Sequence, residues 1–85
     1  MIDMTLVAEV AAIVREAAKV PPHVAISGES SLVEDLAIDS LDLVGVLLAI
    51  QDHFDIVIDD DVVPSLRRID ELAEYVARDR GLAAA

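Results

Sequence analysis

The 85-residue sequence contains no cysteine, no tryptophan and only two aromatic residues, Phe54 and Tyr75. Without cysteine, neither a disulfide nor a thiolate metal site stabilises the fold, so packing must do so alone. The hydrophobic residues, 55% of the chain, are largely Ala, Val, Leu and Ile, which favours closely packed helices. We expect one all-α domain spanning residues 1–85, because a chain this short forms a single modest core and no roomy enzyme cleft.

Long apolar runs are also missing. The longest, from Leu43 to Ile50, falls far short of the roughly 20 residues that cross a bilayer. The amino-terminal segment MIDMTLVAEV carries acidic residues and lacks the basic start and the cleavage site of a signal peptide. We therefore expect a cytoplasmic protein without a membrane span. We also expect it to be a monomer.

Basic residues are scarce and unevenly placed. The chain has 6 Lys and Arg against 17 Asp and Glu, a formal net charge of -11, and no base lies between Val20 and Leu66. Such a surface repels nucleic-acid phosphates and anionic lipids, so we expect neither as a partner. A basic protein surface is its natural complement, although acid also serves simply to keep a small hydrophobic domain soluble.

The segment MTLVAEVAAIVREAAKV has the spacing of an amphipathic helix. Asp3 or Thr5 is its expected cap, and the prolines at 21 and 22 are expected to stop it. A long loop follows as far as Asp39 and is expected to be pinned to the core by isolated hydrophobic residues. The positions predicted to face the core are Leu6, Val10, Ile13, Val14 and Ala17 in the helix and Ile26, Leu32, Val33, Leu36 and Ile38 in the loop.

A second helix is predicted to begin at Asp39 and to end at Phe54. Asp39 suits its N-cap, and Asp42 occupies the capping-box position three residues later. Most of its faces are apolar, because Leu43, Val46, Leu47, Ile50 and Phe54 form a core side while Leu41, Val44 and Leu48 fall opposite. The second apolar face indicates a surface for a protein partner, unless the helix is packed on both sides.

Two further elements complete a predicted bundle of three main helices plus one short helix. The segment DDDVVPSL fits a short helical turn interrupted at Pro64. The last helix, RIDELAEYVARDRG, is expected to end at Gly81 and to leave residues 81–85 as a frayed tail. Its predicted core positions are Ile69, Leu72, Ala73 and Val76.

The segment DLAIDSLDLV, which opens the second helix, resembles the attachment segment of acyl carrier proteins. In that family an Asp-Ser-Leu triplet bears 4'-phosphopantetheine on its serine, and the likeness extends over nearly the whole chain. The resemblance implies that Ser40 is the attachment site, that Asp39 helps hold the magnesium used by a phosphopantetheinyl transferase, and that Leu41 completes the triplet. A phosphate suits this position, since helix N-termini favour anions.

The resemblance also implies a docking face and an acyl-binding interior. Leu41, Val44 and Leu48 match family positions that meet partner enzymes, which load and condense acyl groups. The acids expected to guide the basic docking patches of those partners are Asp42, Asp52, Asp60 and Asp61. The residues that match positions sheltering the acyl chain are Leu32, Leu47, Ile58, Leu66, Ile69, Leu72 and Tyr75.

Five positions depart from the family pattern. Leu32 stands where phenylalanine is frequent, Arg68 stands where a threonine or serine often caps the last helix, and Pro64 disturbs the short third helix. Ala37 stands where glycine is usual, and Gly45 stands where fatty-acid carriers commonly have glutamate. Because the missing acid lies beside the docking face, it favours a carrier dedicated to a specialised lipid or polyketide pathway over one serving primary fatty acid synthesis.

No catalytic or metal-binding constellation is indicated, so we expect a carrier and not an enzyme. Ser40 has no histidine at local spacing to activate it, and its attack on coenzyme A must be catalysed in trans. His23 and His53 lack the cysteines or the helical pairing of a metal site, and DIVIDDD lacks the calcium-loop register. Two alternatives stay open: a carrier of amino acids or peptides, and an acidic helical interaction module that carries nothing.

Overall fold

The computed structural model describes residues 4–84, with side-chain environments as far as residue 79. The three helices are α1 (Met4–Ala17), α2 (Ser40–Phe54) and α3 (Ile69–Ala84), and a 3₁₀ helix, Val63–Ser65, precedes α3. α1 packs against both of the other helices. The predicted all-α bundle of three main helices plus one short helix is confirmed.

The core lies between the three helices and is almost entirely aliphatic. Val10 and Val14 of α1 are completely buried, as the predicted face requires, whereas Ile13 and Ala17 are only partly buried at its edge. All four predicted positions of α3 are completely buried: Ile69, Leu72, Ala73 and Val76. The helical periodicity of aliphatic residues therefore accounts for the core without disulfides or large aromatic clusters.

α1 ends in a left-handed turn. Lys19 has a φ of 55°, and the backbone N–H of Val20 donates a 2.9 Å hydrogen bond to the carbonyl of Arg15. This turn redirects the chain before the two prolines, so the helix ends at Ala17, three residues short of the predicted segment that runs to Val20. At the other end, Thr5 lies inside the helix and is not its N-cap, while Asp3 lies outside the described residues.

The long loop between α1 and α2 is attached to the chain that enters α3. The backbone N–H of Leu32 donates to the carbonyl of Arg67 at 2.9 Å, and that of Asp70 donates to the carbonyl of Gly28 at 2.8 Å. Leu32 and Ile38 are buried, as predicted. Val33 is 59% exposed, so the expectation that it anchors the loop is wrong. It follows Leu32 within a turn, and only one of the two adjacent side chains faces the core.

Two predicted boundaries near the carboxyl end are also wrong. Pro64 lies in the first turn of the 3₁₀ helix, where no helical N–H is needed, so it starts this element and does not interrupt it. α3 continues through Gly81 to Ala84, so the predicted end of the helix at Gly81 is wrong, while the fraying of the tail stays a prediction. Leucine and alanine follow the glycine, and their high helix propensity favours continuation. Ala85 lies outside the described residues.

Candidate attachment site and its surroundings

Ser40 is the first residue of α2, and Asp39 holds that end of the helix in place. The Asp39 backbone is extended, its Oδ1 accepts a 2.9 Å hydrogen bond from the backbone N–H of Asp42, and its carbonyl accepts one from Leu43. The predicted N-cap is therefore confirmed. The side chain of Ser40 is exposed, and its hydroxyl makes no hydrogen bond with the described residues.

The loop before Ser40 is fixed by one buried residue and one strained residue. Ile38 is buried, and its backbone N–H donates a 3.0 Å hydrogen bond to the carbonyl of Leu32. Ala37, immediately before it, has a φ of 54°, in the left-handed region that favours glycine. The left-handed backbone at this position therefore explains why glycine is usual there in the family. Since Ile38 points into the core, Asp39 and Ser40 project from the surface.

The second apolar face of α2 is open. Leu41 is 84% exposed, Val44 is 55% exposed and Leu48 is 59% exposed, and their spacing places them along one stripe of the helix. The opposite side is buried at Val46, Leu47, Ile50 and Phe54, with Leu43 partly buried at the edge. The predicted division of the helix into two faces is therefore confirmed. We call Leu41, Val44 and Leu48 the docking stripe.

The four acids predicted to guide partners are all exposed: Asp42, Asp52, Asp60 and Asp61. The ion pairs within the described residues lie elsewhere, joining Arg68 to Asp70 and Arg78 to Glu74, and His53 lies 3.6 Å from a carboxylate oxygen of Glu9. Among the described residues, therefore, no base forms an ion pair with these four acids, and their charge is available to a basic partner.

A cavity of about 350 Å³ lies between the long loop, α2 and the 3₁₀ helix. Its lining is Ser31, Leu32, Val33, Glu34, Leu43, Val63, Pro64, Leu66 and Arg67. Leu43 is the link to the attachment residue, because it lies three positions after Ser40 and so on a neighbouring part of the same helix surface. An apolar space thus opens close to the candidate attachment point.

Comparisons with known proteins identify the family. The family model described as phosphopantetheine attachment site matches residues 8–76. The chain is 36% identical over 57 residues to the acyl carrier protein of Thermobifida fusca, covering 67% of this chain and 72% of that protein. It is 34% identical over 55 residues to the acyl carrier protein of Syntrophobacter fumaroxidans, covering 65% and 68%. The chain belongs to the acyl carrier protein family.

A mitochondrial member of the family is similar as well. The mitochondrial acyl carrier protein of Saccharomyces cerevisiae is 44% identical over 52 residues, which cover 61% of this chain but only 42% of that relative. The matched residues make up less than half of the yeast protein. Together with the family model, the similarities show that this chain is a phosphopantetheine carrier.

The cofactor of this carrier is covalently held 4'-phosphopantetheine. The residues present fit such a group: Ser40 offers a free, exposed hydroxyl, and the first turn of α2 provides the positive end of a helix dipole for the phosphate. Within the described residues no three His, Asp or Glu side chains come together as metal ligands, and no helix there is long and apolar enough to span a membrane.

The residues that the family resemblance predicts to bind the acyl chain lie in different places, some at the cavity and others in the core. Leu32 and Leu66 line the cavity, whereas Leu47, Ile58, Ile69 and Leu72 are buried in the core. Tyr75 is partly buried, and its hydroxyl donates a 3.1 Å hydrogen bond to the carbonyl of Val57.

Sequence reasoning missed several of the cavity residues. Leu43 had a usable signal in its three-residue spacing from Ser40, and Arg67 had one as the first base after the long acidic stretch. Val33, Val63 and Pro64 carried no comparable signal, since a loop and a 3₁₀ helix bring them there and neither shows a periodicity.

Proposed function

We propose that Ser40 carries the phosphopantetheine arm and that this protein presents acyl thioesters to biosynthetic enzymes of lipid or polyketide type. The observation that carries the proposal is the exposed, unbonded hydroxyl of Ser40 at the capped start of α2, within the segment that resembles the family's attachment site. Asp39 and Leu41 flank it, and Asp39 is proposed to help hold the transferase's magnesium.

The attachment step needs a separate enzyme. The Ser40 oxygen forms a bond to the phosphorus that bears the pantetheine part of coenzyme A, the phosphoanhydride bond breaks, and adenosine bisphosphate leaves. The hydroxyl proton goes to a base of the transferase, since the structure places no hydrogen-bonding base on Ser40 among the described residues. The attached arm supplies a terminal thiol that holds the acyl group, while this chain positions and presents it and does not catalyse.

Partner enzymes are proposed to dock on the docking stripe. Its three apolar side chains offer burial, and the exposed acids Asp42 and Asp52 on the same helix attract a basic rim. Gly45, beside the stripe, is exposed, and a side chain built there would meet nothing within 4 Å. Packing therefore does not exclude the glutamate of fatty-acid carriers, so its absence favours a different set of partners and a specialised pathway.

The cavity near Ser40 is proposed to shelter the acyl chain. Its walls are largely aliphatic, and Leu32 and Leu66 belong to the residues that the family resemblance assigns to the acyl interior. A volume of about 350 Å³ is of the size of small-ligand pockets.

The monomeric state of the protein and its cytoplasmic location are further predictions from the sequence.

Intact-mass measurement tests the carrier function. Incubation with a broad-specificity phosphopantetheinyl transferase and coenzyme A should add one phosphopantetheine, and peptide mapping should place it on Ser40. Ser40→Ala should abolish the addition without changing the circular dichroism spectrum, because an exposed hydroxyl at a helix start contributes little to packing. Ser65→Ala, at an exposed serine far along the chain, is the matched control and should load normally.

The same experiment separates the alternatives. No mass gain with several transferases, or an adduct on another residue, would contradict the carrier proposal at Ser40. If such a protein still bound a basic partner through the docking stripe, it would be an interaction module. Loading from aminoacyl but not acyl donors by the pathway's own enzymes would indicate an amino acid or peptide carrier.

A further inference from the structure

Arg67 lines the cavity whose α2 wall is Leu43, three residues after Ser40, and the exposed Glu34 and the half-buried Ser31 line it as well. Arg67 is the first base after the acidic stretch that begins beyond Lys19. Its side chain is exposed, and within the described residues its guanidinium makes one hydrogen bond, a long one of 3.3 Å from Nε to the carbonyl of Pro64. The terminal nitrogens form no hydrogen bond with those residues and are therefore available to another group.

The other arginines whose side chains are described are already bound. Arg15 donates to the carbonyls of Pro21 and Val24 at 2.6 and 2.8 Å. Arg68 lies 3.2 Å from a carboxylate oxygen of Asp70, and Arg78 lies 2.7 Å from one of Glu74. In a chain with 17 acids, Arg67 has no carboxylate as an ion-pair partner within the described residues.

The nearby acids do not neutralise Arg67. Glu71 uses its Oε1 to accept hydrogen bonds of 2.9 Å from the backbone N–H groups of Arg67 and Arg68, which fixes it at the start of α3. Asp61 lines a shallow surface pocket together with Arg67, and Glu34 lines the cavity with it, but neither forms an ion pair with it. The guanidinium is thus held among acids without being bound by one.

We propose that Arg67 binds the anionic oxygens of the group tethered to Ser40, so that this carrier favours acyl chains that bear a carboxylate. The proposal rests on the proposed attachment at Ser40. The apolar walls at Leu32, Leu43 and Leu66 suit the methylene part of such a chain, and a guanidinium at the rim suits a carboxylate at its end, because its N–H groups match the two oxygens.

The acidic surface around Arg67 favours binding of an anion at this residue over the rest of the surface. All the Asp, Glu, Lys and Arg residues between Val20 and Leu66 are acidic, so a carboxylate held by this segment needs a base from outside it. Arg15 is such a base but already donates to Pro21 and Val24, whereas Arg67 lines the cavity. The phosphodiester of the arm has the same anionic chemistry, so it is the other possible source of the bound oxygens. Glu34, at the same rim, opposes either anion and limits the strength of the contact.

The test uses the protein loaded on Ser40 from three donors: coenzyme A, hexanoyl-coenzyme A and adipoyl-coenzyme A. The two acyl groups have equal numbers of carbons and differ in the terminal carboxylate. The side-chain Nε–Hε signal of Arg67, assigned by its loss in Arg67→Gln, should shift in the adipoyl form and not in the hexanoyl form. The adipoyl form should also melt about 2 to 4 °C above the hexanoyl form, as expected of an exposed ion pair in a small domain.

Three variants make the test specific. Arg67→Gln should remove the difference in melting temperature between the two acyl forms. Arg78→Gln removes the same charge from a residue that does not line this cavity, and it should keep the difference. Glu34→Gln should enlarge it, because a repelling carboxylate is removed from the rim.

Each outcome decides the proposal. A signal shift confined to the adipoyl form supports carboxylate recognition, while an equal shift already present in the form loaded from coenzyme A assigns the phosphodiester as the bound anion and overturns carboxylate selection. Loading without any shift of Arg67 overturns the proposal and leaves the carrier function intact. Failure to load at all overturns the attachment at Ser40 and, with it, this inference.

Discussion

The side-chain carboxamide of Gln51 joins α2 to the segment that follows it, because its Oε1 accepts a 3.0 Å hydrogen bond from the backbone N–H of Ile58. Its Nε2 donates to the carbonyl of Leu47 at 3.2 Å, so the amide has one hydrogen-bond partner in the helix and one in the segment that follows it. Ile58 is buried, and the neighbouring carbonyl of Val57 accepts from Tyr75 of α3. Side chains from two helices therefore hold a segment that has no regular structure of its own.

Gln51→Ala is expected to destabilise the domain by about 1 to 2 kcal/mol, because it leaves the partly buried N–H of Ile58 without its acceptor. Urea unfolding followed by circular dichroism measures this change. Asp52→Ala, at the next and exposed position, should change the unfolding free energy by less than about 0.5 kcal/mol. Equal effects of the two variants would contradict a structural role for the amide.

Ala37→Gly is expected to stabilise the domain by about 0.5 to 1 kcal/mol. Ala37 has a φ of 54°, and a Cβ in this region costs roughly 1 to 2 kcal/mol, which exceeds the entropic cost of a glycine in the unfolded chain. Thermal unfolding measures the gain. Ala25→Gly, in the same loop but without a positive φ, should lower the stability slightly or leave it unchanged. A gain of the same size in both variants would show that the backbone of Ala37 is not the cause.

The helices were predictable because each signal is local. The N-cap at Asp39, the end of α2 at Phe54 and the buried face of α3 follow from residues within a few positions of one another. The errors arose where a local signal was weak or was overruled. Glycine is common just after a helix end, yet α3 continues past Gly81. Pro64 lies in the first turn of the 3₁₀ helix, where a proline is tolerated.

The site was predictable in part for the same reason. The exposed stripe at Leu41, Val44 and Leu48 follows from helical periodicity. The cavity was not predictable from periodicity. It is formed where the loop around Leu32 meets the segment of the 3₁₀ helix, and the backbone hydrogen bond from Leu32 to Arg67 joins the two. Such pairings between distant and irregular segments leave no pattern in a single sequence, so Val33 was assigned to the core although it lies exposed at the cavity.

Screening of the acidic surface is expected to raise the melting temperature. Ten acids and no base lie between Val20 and Leu66, and their mutual repulsion opposes the compact state. Added salt or millimolar divalent cation should raise the melting temperature by about 4 to 8 °C, equivalent to about 1 kcal/mol in a domain of this size. Replacing Asp59, Asp60 and Asp61 by Asn should flatten this response. A melting curve that is indifferent to both additions would mean that the charges are too dispersed to matter.

Acids and apolar residues of the docking face are expected to act on different steps of recognition. Changing Asp42, Asp60 and Asp61 to Asn should mainly slow the association with the transferase and reduce its salt dependence, because exposed charges steer the encounter. Val44→Asp or Leu48→Asp should raise the dissociation constant by about 10 to 100-fold, since each buries a charge without a partner in the complex. Binding kinetics at several salt concentrations separate the two effects.

Leu47→Asp is the control that tests the assignment of faces on α2. Leu47 is 9% exposed and Leu48 is 59% exposed, so the same substitution at adjacent positions should have opposite consequences. An aspartate at Leu47 places an unpaired charge in the core and should cost more than about 3 kcal/mol, enough to unfold a small domain. An aspartate at Leu48 should leave the circular dichroism spectrum and melting temperature nearly unchanged while binding weakens. If Leu48→Asp unfolds the protein and Leu47→Asp stays folded but binds poorly, the two faces have been assigned the wrong way round.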